Sequence, residues 1–248
     1  MGPRPGDPPL RGWLPVLLRV EGLRALVLGG GRQGTHRALQ LARAGARVRV
    51  AAREFSSELV EAARRGLVEL VEADLRAVEA LEGLIGWADL VVVATSDAEV
   101  NREAREAALR MGKLVNDVTS AASGNVVVPF HGEAPGGLVV AVSSLGRAGV
   151  AARAALEKCL EAIASDPEVE VIAETFAELK RRLKEAEPDP EARMRAYRAV
   201  AGDPLYRSLA RSGRAREALE RALAVALEAI RGQGSHPRGD LAGGLGVG

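Results

Sequence analysis

LVLGGGRQGTHRALQLARAGARVRV, residues 26–50, decides the fold. It opens as an apolar β-type run, turns through Gly29-x-Gly31-x-x-Gly34, and continues with helical spacing into a second β-type run ending near Ala52. Glycine has a separate task at each position: Gly29 permits the tight turn, Gly31 lets a pyrophosphate approach the backbone, and Gly34 lets helix and strand pack closely. The phosphates then rest on N–H groups at the helix start. Strand, loop and helix in this order predict a dinucleotide-binding βαβ unit, with Gly29, Gly31, Arg32, Gln33 and Gly34 holding the cofactor. NAD-specific folds usually place an acid at the end of the second strand, for the ribose hydroxyls. Here Ala51 and Ala52 stand there, followed by Arg53 and Glu54. Glu54 suits a ribose hydroxyl and Arg53 a 2′-phosphate, so NAD and NADP both stay open.

Working outward, further β-type runs occur at 67–71, 89–95 and 113–115, separated by helical patterns such as EVNREAREAALRMG (99–112). That alternation predicts a parallel sheet with right-handed crossovers. Thr95 and Ser96 end the fourth run, beside the crevice where such sheets bind ligands, and are read as further cofactor contacts. Asp97 and Asn101 are read as caps of the next helix. Two more β runs, NVVVP (125–129) and LVVAVSS (138–144), have only FHGEAPGG between them and read as a hairpin or arm outside the parallel sheet. After Gly149 the pattern turns helical. Asp166-Pro167, Asp189-Pro190 and Asp203-Pro204 each put a capping acid before a proline at the first helical position. Helices are predicted near 150–164, 167–186, 190–201, 204–211 and 214–231.

Composition narrows the function classes. The 248 residues carry 34 Lys+Arg against 33 Asp+Glu and only 3% aromatics, which argues against a nucleic-acid surface. No apolar stretch approaches the roughly 20 residues a membrane span needs. The single cysteine, Cys159, excludes an internal disulfide and a thiolate metal site and fits a cytoplasmic protein. No metal-ligand set is expected, and the few histidines leave Asp117 as the candidate catalytic acid–base group. It lies in LVNDVTSAASGNVVVPF (114–130), at the end of a buried strand and beside hydroxyls. Its structural alternative is to cap the following turn. Asn116, Thr119, Ser143, Ser144 and Arg147 are the candidate substrate contacts, the last three at a helix start suited to a carboxylate. His131 reads as a polar turn residue.

The chain resembles the precorrin-2 dehydrogenases, the NAD-dependent module of siroheme synthesis, some of which are also ferrochelatases. The likeness rests on the order of LPVLLRVEGLRALVLGGGRQGTHRALQLARAGARVRV, DLVVVATSDAEVN, LVNDVT…VVVP and LVVAVSSLGRAGVAARAALEKCLE, from about Leu14 to Ala164. It implies an α/β fold: a Rossmann-like parallel sheet, then a dimerisation strand arm and an α-helical C-terminal domain. The expected divisions are 1–115 for nucleotide binding, 116–149 for the dimerisation strands and active-site loop, 150–232 for the helices, and 233–248 as a disordered tail. The resemblance implies NAD-dependent oxidation of the tetrapyrrole precorrin-2, a homodimer with interlocked strands, and a stand-alone dehydrogenase module. It also implies an acid just after the fifth strand, used in dehydrogenation and, where present, in metal insertion. Counted back from Pro129, that position holds Thr119, and the acid of this chain, Asp117, lies two residues earlier. A competing class, the NAD(P)-sensing regulatory modules, shares the glycine loop but usually carries the second-strand acid missing here.

Overall fold

The computed structural model describes residues 12–232, so the expected tail at 233–248 lies outside the described residues. The chain divides into two compact units, one comprising residues up to 129 with 143–152, the other 130–142 with 153 onward.

In the first unit, β1 (Arg24–Leu28), α1 (Arg32–Arg43), β2 (Arg47–Ala52), α2 (Ser57–Arg64), β3 (Glu69–Glu72), α3 (Val78–Trp87), β4 (Leu90–Val93), α4 (Ala98–Arg110) and β5 (Leu114–Asp117) alternate along the chain. The five strands are parallel in the order β3-β2-β1-β4-β5. Alternation along β1 explains the layering, because successive side chains of a strand point to opposite faces. Leu26 and Leu28 pack with Leu81, Ile85, Ala104 and Ala108 of α3 and α4. Ala25 and Val27 pack on the other face with Ala38, Leu59 and Ala62 of α1 and α2. Both faces are covered, so the central strands β1 and β4 read as continuous apolar runs rather than as an alternating pattern. Strand order reverses between β1 and β4, and the loops after them leave the same edge of the sheet.

The second unit contains a hairpin, β6 (Phe130–Ala134) and β7 (Leu138–Val142), and helices α5 (Gly149–Ala164), α6 (Pro167–Ala186), α7 (Pro190–Gly202), α8 (Pro204–Arg211) and α9 (Ala215–Arg231). The first four residues of α5, 149–152, belong to the first unit and the rest of the helix to the second. All three Asp-Pro pairs work as read: Asp166, Asp189 and Asp203 each accept from backbone N–H groups of the helix they open. Tyr206 is fully buried, with its hydroxyl 2.6 Å from Thr175 Oγ1 and its ring edge-on to Phe176.

One strand is displaced from its expected place. Residues 125–129 are not a strand; pairing starts after Pro129, with Phe130 opposite Val142 and Ala134 opposite Leu138. Instead Asn125 and Val126 turn back on β5: both N–H groups donate to Val115 O, and Asn125 Oδ1 accepts from Val115 N. The hairpin turn is therefore only Pro135–Gly137, with Gly136 and Gly137 both at positive φ. The segment FHGEA carries no apolar alternation, so its pairing was hidden in the sequence.

Candidate nucleotide and substrate site

The glycine loop is built by backbone contact. Gly29 has φ +114, and a Cβ there would lie 2.5 Å from Ala94 O, at the end of β4. A Cβ on Gly34 would stand 1.9 Å from Gly29 O, so helix α1 can approach β1 only with glycine at this position. Gly31 differs: nothing lies within 4 Å of where its Cβ would be. The three glycines thus have the expected division of labour, two for close packing and one facing open space.

Gly31 is also the N-cap of α1, with no side-chain cap and no acid in the first turn. The first N–H groups of a helix have no partner within it, and the helix dipole adds partial positive charge. Arg32 and Gln33 are exposed at this turn. Thr35 is buried and tied to Gly31 O and to Ser56 Oγ at 3.0 and 2.8 Å, which fixes the turn against the start of α2. An uncapped helix start beneath an open glycine fits a pyrophosphate. At the end of β2, Arg53 is ion-paired with Asp74, the loop after β3 supplying an acid that β2 itself lacks.

Beside this loop, Thr95 and Asn101 form a closed pair. Thr95 Oγ1 donates to Asn101 Oδ1 at 2.6 Å, and Asn101 Nδ2 returns a bond to Thr95 O at 2.9 Å. Asp97 caps α4, accepting from Glu99 N and Val100 N. Asn101 therefore staples the loop rather than capping the helix. An open cleft of about 490 Å³ follows, lined by Thr95, Ser96, Asn101, Arg102, Arg105 and Thr119.

Asp117 ends β5 with its side chain wholly buried. Its Oδ1 accepts from Thr119 N, Thr119 Oγ1 and Ser120 N at 2.9, 2.7 and 3.1 Å, and Oδ2 accepts from Arg105 Nη1 at 2.8 Å. Burial is the largest single influence on this carboxyl and pushes its pKa up. The Thr119 hydroxyl, the Arg105 guanidinium and the two N–H groups together outweigh it and hold the group below the ordinary carboxylate range. Asp117 is absent from the cleft wall, whereas Thr119 is part of it. The geometry is that of the capping alternative: an acid that shapes the turn and fixes an arginine. Asn116 is buried too, donating to Val126 O at 3.0 Å.

Ser143, Ser144 and Arg147 do not line the cleft. Ser143 Oγ accepts from Leu145 N and Ser144 Oγ from Ala148 N, so both hydroxyls hold the turn. That turn contains Leu145 at φ +52, and its Gly146 lies against Ala121 of the 117–124 loop. His131 stands in β6 opposite Ala141, not in a turn. Among the described residues no group of three or more His, Cys, Asp or Glu is placed to hold a metal ion. Sequence reasoning missed Arg102 and Arg105. Their signal was the spacing from Asn101, which puts 101 and 105 on one helix face.

Fold and loop together define a Rossmann-type domain for a nicotinamide cofactor. The NAD(P)-binding family model matches residues 16–130. A siroheme synthase of Methylococcus capsulatus is 32% identical over 225 residues, 89% of this chain and 44% of the relative. A precorrin-2 dehydrogenase of Methanosarcina barkeri is 37% identical over 136 residues, 54% of this chain and 59% of that protein. The solved structure titled "SirC, precorrin-2 dehydrogenase" superposes with a TM-score of 0.65 at 22% identity, covering 85% of this chain and 99% of its own, and so shares the fold. The chain is thus similar to siroheme synthases and precorrin-2 dehydrogenases and carries an NAD(P)-binding domain. It spans less than half the length of the siroheme synthases it matches.

Two glycine substitutions separate binding from folding. Gly31→Asp should melt at or above the wild-type temperature, because Asp is a good N-cap in open space. It should bind NAD at least about tenfold more weakly, because its carboxylate takes the place of the phosphate. Gly34→Ala should lose stability instead, since its Cβ must displace a backbone carbonyl. Calorimetry and thermal melting check both; unchanged NAD affinity in folded Gly31→Asp contradicts the site.

Proposed function

We propose that the chain oxidises precorrin-2 to sirohydrochlorin, in siroheme formation, with NAD as the hydride acceptor. The observation that carries this is the uncapped start of α1 beneath open Gly31, beside the cleft lined by Thr119, in a chain 37% identical to a precorrin-2 dehydrogenase. The glycine loop holds the pyrophosphate, and Thr95 and Ser96 border the nicotinamide half. The cofactor accepts the hydride; a proton leaves the tetrapyrrole in the same oxidation, and the cleft is open to water that can take it. Thr119 orients the substrate edge through its hydroxyl oxygen, while its O–H donates to the Asp117 carboxylate. Asp117 acts through this hydroxyl and through Arg105, not on the substrate. Arg53 already has Asp74 as its counter-ion, which favours NAD over a 2′-phosphate.

Oxidation is proposed without metal insertion. The position that carries the acid in the resemblance holds Thr119, and the Asp117 carboxylate is committed to four protein donors. A homodimer is part of the same reading. Phe130, Leu138 and Val139 of the two-stranded hairpin are exposed, and apolar side chains on the surface of a small sheet invite association with another chain. Sedimentation at micromolar concentration should show two chains per particle, and a stable monomer would contradict it. The exposed single cysteine accords with a cytoplasmic location.

Anaerobic incubation with precorrin-2 and NAD should yield sirohydrochlorin absorbance with one NADH per turnover, and NADP should serve less well. A folded, NAD-binding protein that leaves precorrin-2 unchanged with either cofactor would sink this function.

A further inference from the structure

We infer that Arg105 is a carboxylate-binding residue of the cleft, aimed by the buried Asp117, and that it sets the affinity for a carboxylated edge of the tetrapyrrole. The inference rests on the proposed function for the identity of the ligand.

Arg105 and Asn101 share one face of α4, and each is fixed to the end of a different strand. Asn101 holds Thr95 after β4, and Arg105 holds Asp117 at the end of β5. The Arg105 side chain is only 19% exposed, and it reaches the cleft wall. A guanidinium carries five N–H donors in a rigid fork. Asp117 engages Nη1, the one Arg105 nitrogen given a protein partner among the described residues. None of the remaining nitrogens is a buried, unsatisfied atom, and Arg105 is among the residues that line the cleft.

The neighbouring cation is committed differently. Arg102 is exposed and bonded to both Glu99 and Glu106 on its own helix. Among the described residues Arg105 pairs with one carboxylate, the buried Asp117, which is outside the cleft wall, whereas Arg105 is part of that wall. Such an arrangement presents one edge of a planar cation in a fixed orientation, which suits bidentate recognition of a carboxylate. Burying the pair costs desolvation that its mutual attraction alone does not clearly repay. A ligand-facing role accounts for an ion pair at this place in the cleft wall.

The alternative is a purely structural brace, and the test separates the two. Sirohydrochlorin affinity would be read by fluorescence titration, and KM and kcat for precorrin-2 with NAD by absorbance. The variants are Arg105→Lys, Arg105→Met, and Arg105→Met with Asp117→Asn. The double variant leaves no unpaired buried charge, and Asn Oδ1 can still accept from Thr119 N and Ser120 N, so it keeps the loop. Arg105→Met and the double variant should weaken sirohydrochlorin binding and raise KM by about 10- to 100-fold, with kcat within about threefold and NAD affinity unchanged. Arg105→Lys should recover part of the loss, as a point charge without the fork. Wild-type affinity and KM in the folded double variant overturn the inference and leave the dehydrogenase reading standing. Wild-type protein that neither oxidises precorrin-2 nor binds sirohydrochlorin overturns both.

Discussion

The approach of Gly34 to the carbonyl of Gly29, too close for any Cβ, is the contact on which the site depends. It lets α1 start immediately after β1 with its first N–H groups bare. Gly29 in turn lies against the carbonyl of Ala94, so the loop after β1 and the loop after β4 meet at the point where strand order reverses. The cleft beside them is lined from the loop after β4, from α4 and from the turn after β5. A methyl group at either glycine would separate backbone from backbone, and the phosphate cradle would go with it.

A second layer fixes the substrate side by polar bonds rather than packing. Thr95 is locked to Asn101, Arg76 of the loop after β3 pairs with Asp97, and Asp117 collects four donors from its own turn and from α4. The Arg76–Asp97 pair is exposed, whereas Asn101 and Asp117 are buried and their side-chain polar atoms are satisfied, as a buried polar network requires. Their satisfaction makes the loops after β4 and β5 rigid without using the outward faces of Ser96, Thr119 and Arg105. The acid is thus an organiser, and the hydroxyl two residues later is what reaches the cleft.

Much of this was legible in the sequence because its signals are local. The glycine spacing, the five strands of the parallel sheet and the three Asp-Pro caps each act over a few residues, and these lie where they were expected. The features that were not legible depend on tertiary contact. Phe130–Ala134 pairs as a strand without apolar alternation because Leu138–Val142 and the helices beside it supply the partners; Leu160 packs against Gly132, for example. Asp117 looked available because sequence could not show Arg105 arriving from α4, twelve residues earlier in the chain. Arg105 itself sits in a charge-rich helix, where most arginines are solvated.

Hydrogen exchange with and without saturating NAD tests the central claim most directly, because the cradle consists of backbone N–H groups. The account predicts slowed exchange at residues 31–36 and 94–98, with helices α6 to α9 unaffected. NAD binding that leaves the 31–36 amides exchanging at their free rate would contradict it.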